Sequence, residues 1–284
     1  MSVNRILWLA SYPKSGNTWI RAFLANYLAD GAAPVDINTL PDFAYGDMRV
    51  NYYAQVSGKA AADLAWPEIN RLRPRVHRFL AQARPGFVFV KTHTVVATID
   101  GVPTITPDAT FGAIYLVRNP LDIAVSFANH YGLSIAQAAE ALCSRDLRIA
   151  AKEGHIPQPI SDWTTHVESW LRAPGLYLHV VRYEDMLTSP QRTFAGMIDF
   201  LRLAKNRERL KRAIRQSSFR VLAEQERRAG FVERSKNAEA FFRRGLAGGF
   251  REELTPAQIE ALVDKHRAMM TKLGYLDAGG RLWI

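Results

Sequence analysis

The feature that most constrains this chain is an apolar run that ends in a tight polar loop and leads directly into a helical pattern. Residues 5–10 (Arg-Ile-Leu-Trp-Leu-Ala) have the length and composition of a buried strand, and residues 18–29 carry apolar side chains at helical spacing. The loop between them reads Ser-Tyr-Pro-Lys-Ser-Gly over residues 11–16. Strand, tight loop and helix in this order open a βαβ unit, so the sequence predicts a parallel sheet.

Further apolar runs repeat this alternation along the chain. We predict strands at residues 87–90, 111–117 and 176–181, and helices at 121–131, 134–150 and 189–203. Residues 255–258 (Thr-Pro-Ala-Gln) form a capping box that predicts the start of a last helix. The expected fold class is therefore α/β, with a central parallel sheet flanked by helices.

Two segments resist assignment. Residues 32–58 are irregular and aromatic-rich, and residues 229–249 contain four glycines, a pattern typical of a mobile loop. No repeat, low-complexity linker or composition boundary is visible, so we expect one domain over residues 1–284.

Composition excludes several classes of protein. A chain of 284 residues with 48% hydrophobic content can build a sizeable core and is not disordered. The single cysteine, Cys143, excludes an internal disulfide and a cysteine-rich metal site. The longest uncharged apolar run, residues 111–117, is far short of the roughly 20 residues that cross a bilayer. Residues 6–10 are too short for a signal-peptide core. We therefore expect a cytoplasmic protein that uses neither a membrane nor a metal.

The positive charge is concentrated in one segment. The chain has 37 Lys and Arg against 27 Asp and Glu, and residues 202–251 alone hold 15 basic and 5 acidic residues. Such an excess attracts polyanions or phosphorylated ligands. A solvated, arginine-rich helical surface is the alternative that charge alone leaves open.

The loop after the first strand has the composition of an anion site. Backbone amides of a strand-to-helix turn converge on one point, and Gly16 allows close approach. Lys14 adds a mobile charge, and Ser15, Asn17 and Thr18 add polar side chains. The lysine precedes the only glycine, so the loop is not a Walker A motif and a magnesium-dependent NTPase is disfavoured.

Two further strand ends carry candidate groups. Arg118 follows one predicted strand and Ser126 lies two turns into the next helix, where both could hold a phosphate; an ion pair of Arg118 with Asp122 is the structural alternative. Lys91-Thr-His93 ends another predicted strand, and a neutral His93 could accept a proton from a hydroxyl. His130 is the reserve candidate for that base.

The basic segment contains a fourth candidate, Arg243-Arg244-Gly245, whose two arginines would form a phosphate clamp. The chain contains no His-Glu-x-x-His motif, paired cysteines or Gly-x-Ser-x-Gly motif, so metallohydrolase and serine-hydrolase chemistry have no starting point.

Taken in chain order, these four segments resemble the sulfotransferases that use 3′-phosphoadenosine 5′-phosphosulfate (PAPS), over nearly the whole chain. The family's phosphosulfate loop Tyr-Pro-Lys-Ser-Gly-Thr-Thr-Trp is similar to residues 12–19, with Asn17 in place of one Thr. Its Lys-Thr-His segment matches residues 91–93, and its arginine and serine for the 3′-phosphate fall on Arg118 and Ser126. The family's adenine-holding segments match residues 183–186 and 217–219, and its Arg-Lys-Gly clamp matches residues 243–245.

The resemblance implies a role for each matched residue. His93 would be the general base, Lys14 would stabilise the leaving group, and Lys91 is a catalytic candidate with a structural role as its alternative. The implied donor-binding residues are Lys14, Ser15, Gly16, Asn17, Thr18, Trp19, Arg118, Ser126, Tyr183, Phe219, Arg243, Arg244 and Gly245. PAPS would be the co-substrate, and no metal is implied.

The resemblance leaves the acceptor open. Thr94-Val95 and Gly249-Phe-Arg251 depart from the pattern of animal cytosolic members, and the animal dimerisation motif is absent, so the oligomeric state is left open. The chain looks more like bacterial members that sulfate small natural products. Five aromatic residues would suit a phenolic or other ring-containing alcohol, unless they are ordinary core residues: Tyr45, Tyr52, Tyr53, Trp66 and Tyr131.

Two other functions are kept for comparison. One is a nucleotide kinase with a degenerate phosphate loop, which would need magnesium. The other is a non-catalytic binder of RNA or another polyanion, which would bind with a steep dependence on salt. The lack of interleaved exposed aromatic residues in residues 202–220 counts against the latter.

Overall fold

The computed structural model of the chain describes residues 5–60, 63–151 and 154–282. Its main sheet has five strands in the order β2-β3-β1-β6-β9. Two short antiparallel pairs, β4 with β5 and β7 with β8, lie outside it. The strands are β1 (Arg5–Ser11), β2 (Tyr45–Gly46), β3 (Phe87–Thr92), β4 (Thr98–Ile99), β5 (Val102–Pro103), β6 (Thr110–Val117), β7 (Arg148–Ile149), β8 (Gln158–Pro159) and β9 (Leu178–Arg182).

The parallel register of the sheet follows the sequence pattern. β1 pairs with β3 from Arg5 opposite Phe87 to Ala10 opposite Thr92, and β2 adds to the other edge of β3. Residues 6–9 in β1 are fully buried, as expected of a strand that is covered on both faces. The predicted α/β class with a central parallel sheet flanked by helices is confirmed.

Helix boundaries are set by local caps. The Asn119 side chain accepts from the backbone N–H of Leu121 at the start of α5, and Thr255 with Gln258 forms the predicted capping box of α12. The helices are α1 (Asn17–Ala29), α2 (Leu40–Phe43), α3 (Val50–Ser57), α4 (Trp66–Ala81), α5 (Pro120–Tyr131), α6 (Ile135–Cys143), α7 (Trp163–Leu171), α8 (Tyr183–Thr188), α9 (Pro190–Phe200), α10 (Arg207–Gln216), α11 (Phe219–Ala229) and α12 (Pro256–Lys272). In the part of the chain described, no helix is long and apolar enough to cross a membrane.

Two sequence-based expectations are wrong. The helix predicted over residues 134–150 ends at Cys143, because residues 148–149 pair with β8 and the Leu147 carbonyl accepts from Ile160 and Ser161. Residues 32–58 are not wholly irregular, since they contain α2, α3 and the edge strand β2. Tertiary pairing overrides local propensity at residues 148–149 and at the edge strand β2.

Contacts divide the described chain into two compact units, each formed by three segments. Unit 1 comprises the chain up to Tyr12, Ala44–Tyr115 and Arg145–Val180. Unit 2 comprises Pro13–Phe43, Leu116–Ser144 and the chain from Val181 onward. The candidate donor-binding residues belong to unit 2, and Lys91 and His93 belong to unit 1.

Candidate active site

The loop before α1 has an unusual backbone conformation that requires glycine at position 16. Lys14 and Gly16 both have left-handed φ angles, 67° and 101°, and α1 begins at the next residue, Asn17. A Cβ added to Gly16 would lie 2.7 Å from Cδ2 of Tyr183. Any side chain at this position would therefore meet both backbone strain and a steric clash.

The same loop presents polar groups suited to a phosphate. Ser15 is fully buried, and its Oγ has no hydrogen-bond partner among the described residues. The first amides of a helix also lack partners within the helix, and the positive end of its dipole attracts anions. A buried hydroxyl beside these amides fits the phosphosulfate end of PAPS. Oγ1 of Thr18 accepts a hydrogen bond from Nη2 of Arg21 at 3.0 Å, and its hydroxyl proton can still be donated.

Arg118, at the end of β6, is held by the backbone of two loops. Its Nη1 donates to the carbonyl of Lys14 at 3.2 Å and its Nη2 to the carbonyl of Leu246 at 3.1 Å. The guanidinium carbon lies 4.2 Å from the centre of the Tyr183 ring. The alternative partner, Asp122, instead accepts backbone N–H bonds from Gly248 and Phe250. Arg118 is thus placed beside the phosphate loop.

The aromatic residues expected at the adenine have distinct surroundings. Trp19 packs edge-to-face on Tyr183, with ring centres 5.6 Å apart. Phe219 begins α11, and a Cβ added to Gly245 would lie 2.2 Å from its ring. Gly245 also has a left-handed φ of 65°. Glycine is therefore required where the clamp segment passes over the Phe219 ring.

The two clamp arginines are paired with acids. Arg243 forms an ion pair with Glu253, and Arg244 contacts Glu252 at 2.9 Å and Glu253 at 3.5 Å. All four side chains are partly or largely exposed, so these pairs contribute little stability and can exchange for a phosphate. The sequence did not predict this pairing.

Three further candidate residues lie in unit 2, namely Lys14, Ser126 and His130. Ser126 lies half-buried in α5, eight residues after Arg118. The ammonium of Lys14 lies 4.3 Å from the centre of the Phe241 ring. His130 meets the same ring edge-on, with centres 6.1 Å apart.

In unit 1, His93 has a defined ring orientation. Its Nδ1 lies 2.8 Å from the carbonyl oxygen of Ser11 and 3.2 Å from the Ser11 hydroxyl. A carbonyl oxygen can only accept, so the contact assigns the Nδ1 proton to the neutral ring. The Nε2 atom of that tautomer is then a hydrogen-bond acceptor, as a general base requires.

Buried aromatic residues hold the backbone around His93. The pKa of His166 is lowered to about 4, mainly by its complete burial, so its ring is neutral near pH 7. Its Nε2 donates to the His93 carbonyl at 3.0 Å, and its Nδ1 accepts from the Tyr115 hydroxyl at 2.9 Å. Nε1 of Trp170 donates to the Thr94 carbonyl at 3.1 Å. None of these contacts was predicted, because they join residues far apart in the chain.

A buried carboxylate is also hydrogen-bonded to the segment that contains His93. Asp47 accepts from the Thr92 hydroxyl at 2.9 Å, and its N–H donates to the Lys91 carbonyl at 3.4 Å. Burial raises the pKa of Asp47 to about 6, while the nearby Arg73 charge and the Thr92 hydrogen bond act in the opposite direction. Asp47 is therefore a titratable group that is hydrogen-bonded to the last residue of strand β3.

The aromatic residues suggested for the acceptor fall in both units. Tyr45, Tyr52, Tyr53 and Trp66 belong to unit 1, whereas Tyr131 ends α5 in unit 2. Tyr53 is fully buried, and burial raises its pKa to about 12. Tyr45 and Tyr52 are half-buried, with ring centres 6.4 Å apart.

Comparison with known proteins identifies the family. The Sulfotransferase domain family matches residues 4–274. The chain belongs to this family. The sequence is similar to dog sulfotransferase 1B1, with 26% identity over 263 residues covering 89% of this chain and 79% of that protein. Bovine sulfotransferase 1A1 is 24% identical over 274 residues, covering 92% and 82% of the two chains.

Solved structures share the fold of this sulfotransferase. Retinol dehydratase in complex with androsterone and PAP superposes with a TM-score of 0.64 at 18% identity, covering 95% of this chain and 81% of the other. A mouse sulfotransferase complexed with PAP gives 0.58 at 18% identity, covering 96% and 89%. The predictions of a sulfotransferase enzyme and of PAPS as its donor are confirmed at the level of the family. The roles of individual residues stay predictions.

Proposed function

We propose that this sulfotransferase, working as one domain over residues 1–284, uses His93 as general base and Lys14 as the cation at the leaving group. The acceptor is a small molecule whose reacting group is a hydroxyl. The observation that carries the proposal is the hydrogen bond of His93 Nδ1 with the Ser11 carbonyl. That contact supports an Nε2 atom that is ready to accept the proton of the acceptor hydroxyl.

In the reaction, the acceptor oxygen attacks the sulfur of PAPS while its proton passes to His93 Nε2. The bond between sulfur and the 5′-phosphate oxygen breaks, and adenosine 3′,5′-bisphosphate leaves with the negative charge on that oxygen. Lys14 and the backbone amides of residues 14–18 stabilise this charge as it develops, which is where positioned donors contribute most. Lys91 is a candidate for a second cation in this step. Its alternative role is a structural one, the support of strand β3.

The donor is held through its other groups by unit 2. Arg118, Ser126, Arg243 and Arg244 bind the 3′-phosphate, which replaces Glu252 and Glu253 as partner of the clamp arginines. The remaining donor contacts come from the loop residues Ser15, Gly16, Asn17 and Thr18, from Gly245, and from the rings of Trp19, Tyr183 and Phe219 at the adenine. Two of the fifteen basic residues in the 202–251 segment, Arg243 and Arg244, thereby have a role that does not involve nucleic acid.

The acceptor is proposed to contain a ring, and a phenol is the first choice. Tyr45, Tyr52 and Trp66 support this choice, because aromatic side chains bind rings through their faces and edges. A cytoplasmic location and a likeness to bacterial members that act on small natural products are parts of the same proposal.

The test is transfer of radiolabelled sulfate from PAPS to a panel of hydroxylated compounds in the presence of a metal chelator. We expect a labelled phenolic or other ring-containing alcohol and no effect of the chelator. Phosphate transfer from ATP that the chelator abolishes, with no transfer of labelled sulfate, would favour the nucleotide kinase. Binding of RNA with a steep salt dependence, and no transfer to any compound, would favour the polyanion binder.

A further inference from the structure

The segment 241–250, which we call the clamp loop, is attached at both ends to buried carboxylates. Glu226, in α11, accepts from the N–H of Phe241 at 2.8 Å through one oxygen and from that of Phe242 at 2.9 Å through the other. Asp122, in α5, accepts from Gly248 at 2.8 Å and Phe250 at 3.1 Å in the same way. Two acids on separate helices thus bind four backbone amides of one loop.

Burial makes these contacts strong. Asp122 is 4% exposed and Glu226 is 6% exposed. A buried carboxylate is costly unless hydrogen bonds replace its water shell. Bonds from backbone N–H groups to a charged oxygen are roughly twice as strong as neutral ones. The two acids therefore have a strong preference for the loop conformation that offers them these amides.

The four amides bracket the candidate clamp. Phe241 and Phe242 come directly before Arg243, whereas Gly248 and Phe250 follow Gly245. Between the two anchors, Arg118 donates to the Leu246 carbonyl. The Phe241 ring, whose amide Glu226 binds, lies beneath the Lys14 ammonium. Asp122 and Glu226, the two anchors of the loop, therefore fix the backbone on both sides of the segment that carries the clamp arginines.

We propose that Asp122 and Glu226 are positioning residues that hold the clamp loop ready for the 3′-phosphate and so set the preference for a 3′-phosphorylated nucleotide. The proposal rests on the proposed function, which assigns the 3′-phosphate to Arg118, Ser126, Arg243 and Arg244. A loop that is ordered before binding loses less conformational entropy when the ligand arrives. Ordering of the loop should therefore strengthen binding of a nucleotide that carries a 3′-phosphate. It should not strengthen binding of a nucleotide without that phosphate.

The experiment uses the near-isosteric variants Asp122→Asn and Glu226→Gln. Each replaces one accepting oxygen by an NH₂ group that faces a backbone N–H, so one hydrogen bond is lost and a repulsive contact replaces it. The affinities of adenosine 3′,5′-bisphosphate and of AMP are measured by calorimetry on the full chain. We expect the preference for the bisphosphate over AMP to fall on the order of tenfold in each variant, with AMP affinity nearly unchanged.

The chain offers matched controls. Glu224→Gln lies on the same helix as Glu226, where Glu224 is exposed and paired with Arg227. Asp264→Asn removes an exposed acid of α12 that pairs with Arg267. Both controls should keep the wild-type preference.

The outcomes separate this proposal from the one on which it rests. A wild-type protein with no preference for the bisphosphate over AMP would refute the proposed 3′-phosphate site itself. A wild-type preference that both folded anchor variants retain would overturn only the role of the anchors. Equal losses of AMP and bisphosphate affinity would indicate a general structural role and would also overturn it.

A folding failure is covered by a second measurement. If one variant does not give a cooperative thermal transition, the other decides the question. If neither folds, hydrogen exchange of the wild type without nucleotide decides it. Slow exchange at the amides of residues 241, 242, 248 and 250 supports loop order before binding, and rapid exchange there overturns it.

Discussion

The segment Lys91–Thr94, which carries the candidate base, and the clamp loop of residues 241–250 are held in place in different ways. Around His93, the contacts come from buried side chains, including His166 and Trp170, that bond to the backbone carbonyls. In the clamp loop, buried acids bind the backbone amides, but the arginine side chains are paired with acids near the surface. Under the proposed function, the base segment is already oriented for reaction, whereas the clamp arginines have to exchange partners when the donor binds.

This difference separates the chemical step from the binding step. A base in a fixed tautomer contributes in the transition state, so its loss should lower turnover. An arginine that exchanges a carboxylate for a phosphate contributes equally in the ground and transition states, so its loss should weaken binding. Variants in the two regions should therefore affect different kinetic constants.

The largest effect is expected for the base. His93→Ala should reduce turnover by roughly 10²–10⁴-fold, the range for loss of a general base, and should leave bisphosphate affinity nearly unchanged. Turnover is measured at saturating donor and acceptor, with the affinity measured alongside. His130→Ala is the matched control. Near-normal turnover in His93→Ala would reject the proposed base, and a collapse in His130→Ala alone would transfer the role to His130.

The next effect is expected at the phosphate loop. Lys14→Ala should slow transfer by roughly 10²–10³-fold, because it removes a donor aimed at charge that develops on the leaving oxygen. The rate of a single turnover at saturating PAPS reports this step directly. Lys205→Ala, which removes an exposed lysine paired with Asp199, should have no effect and serves as control. A rate within a few-fold of the wild type in Lys14→Ala would remove the lysine from the chemical step.

A smaller effect, and one on binding, is expected from Arg118. Arg118→Ala should weaken donor binding by roughly 10–100-fold, which is the cost of losing hydrogen bonds to a charged group. Turnover at saturating donor should fall much less. The exposed Arg192 of α9 provides the control Arg192→Ala. A large loss of turnover at unchanged donor affinity would contradict this role and would weaken the contrast between the two regions.

The parts of the fold and of the candidate site that are visible in the sequence are those whose elements are local. The strand, loop and helix of residues 5–29 are a continuous pattern, and the structure moves their predicted ends by one residue. The clamp motif is also continuous, and Gly245 lies against Phe219, a residue that the family resemblance also assigned to the donor.

The missed contacts join distant parts of the chain. The bond between His93 and Ser11 spans 82 positions, and that between His166 and His93 spans 73. Glu226 belongs to a charge-rich helix in which nothing local distinguishes it from the exposed Glu224. Only the fold shows that one acid is buried against two amides and the other lies in solvent.

The smallest expected effect concerns Asp47, which supports the base segment through Thr92. Its carboxyl has a pKa raised from 3.8 to about 6, mainly by burial. Between these two pH values the folded chain holds a proton that the unfolded chain has lost. Its contribution to the free energy of unfolding is therefore fully present below pH 3.8 and falls as pH rises toward 6, by about 3 kcal/mol at most.

Asp47→Asn removes this titration but keeps an oxygen that can accept from Thr92. The melting temperature of the wild type, relative to that of the variant, should therefore decline by several degrees between pH 4 and pH 7. Other groups titrate in both proteins, so the difference isolates Asp47, and the exposed Asp264→Asn should show no such trend. A difference that stays constant with pH would mean that Asp47 is ionised throughout. The base segment would then rest on a charged group, as the clamp loop does, and the contrast between the two regions would narrow.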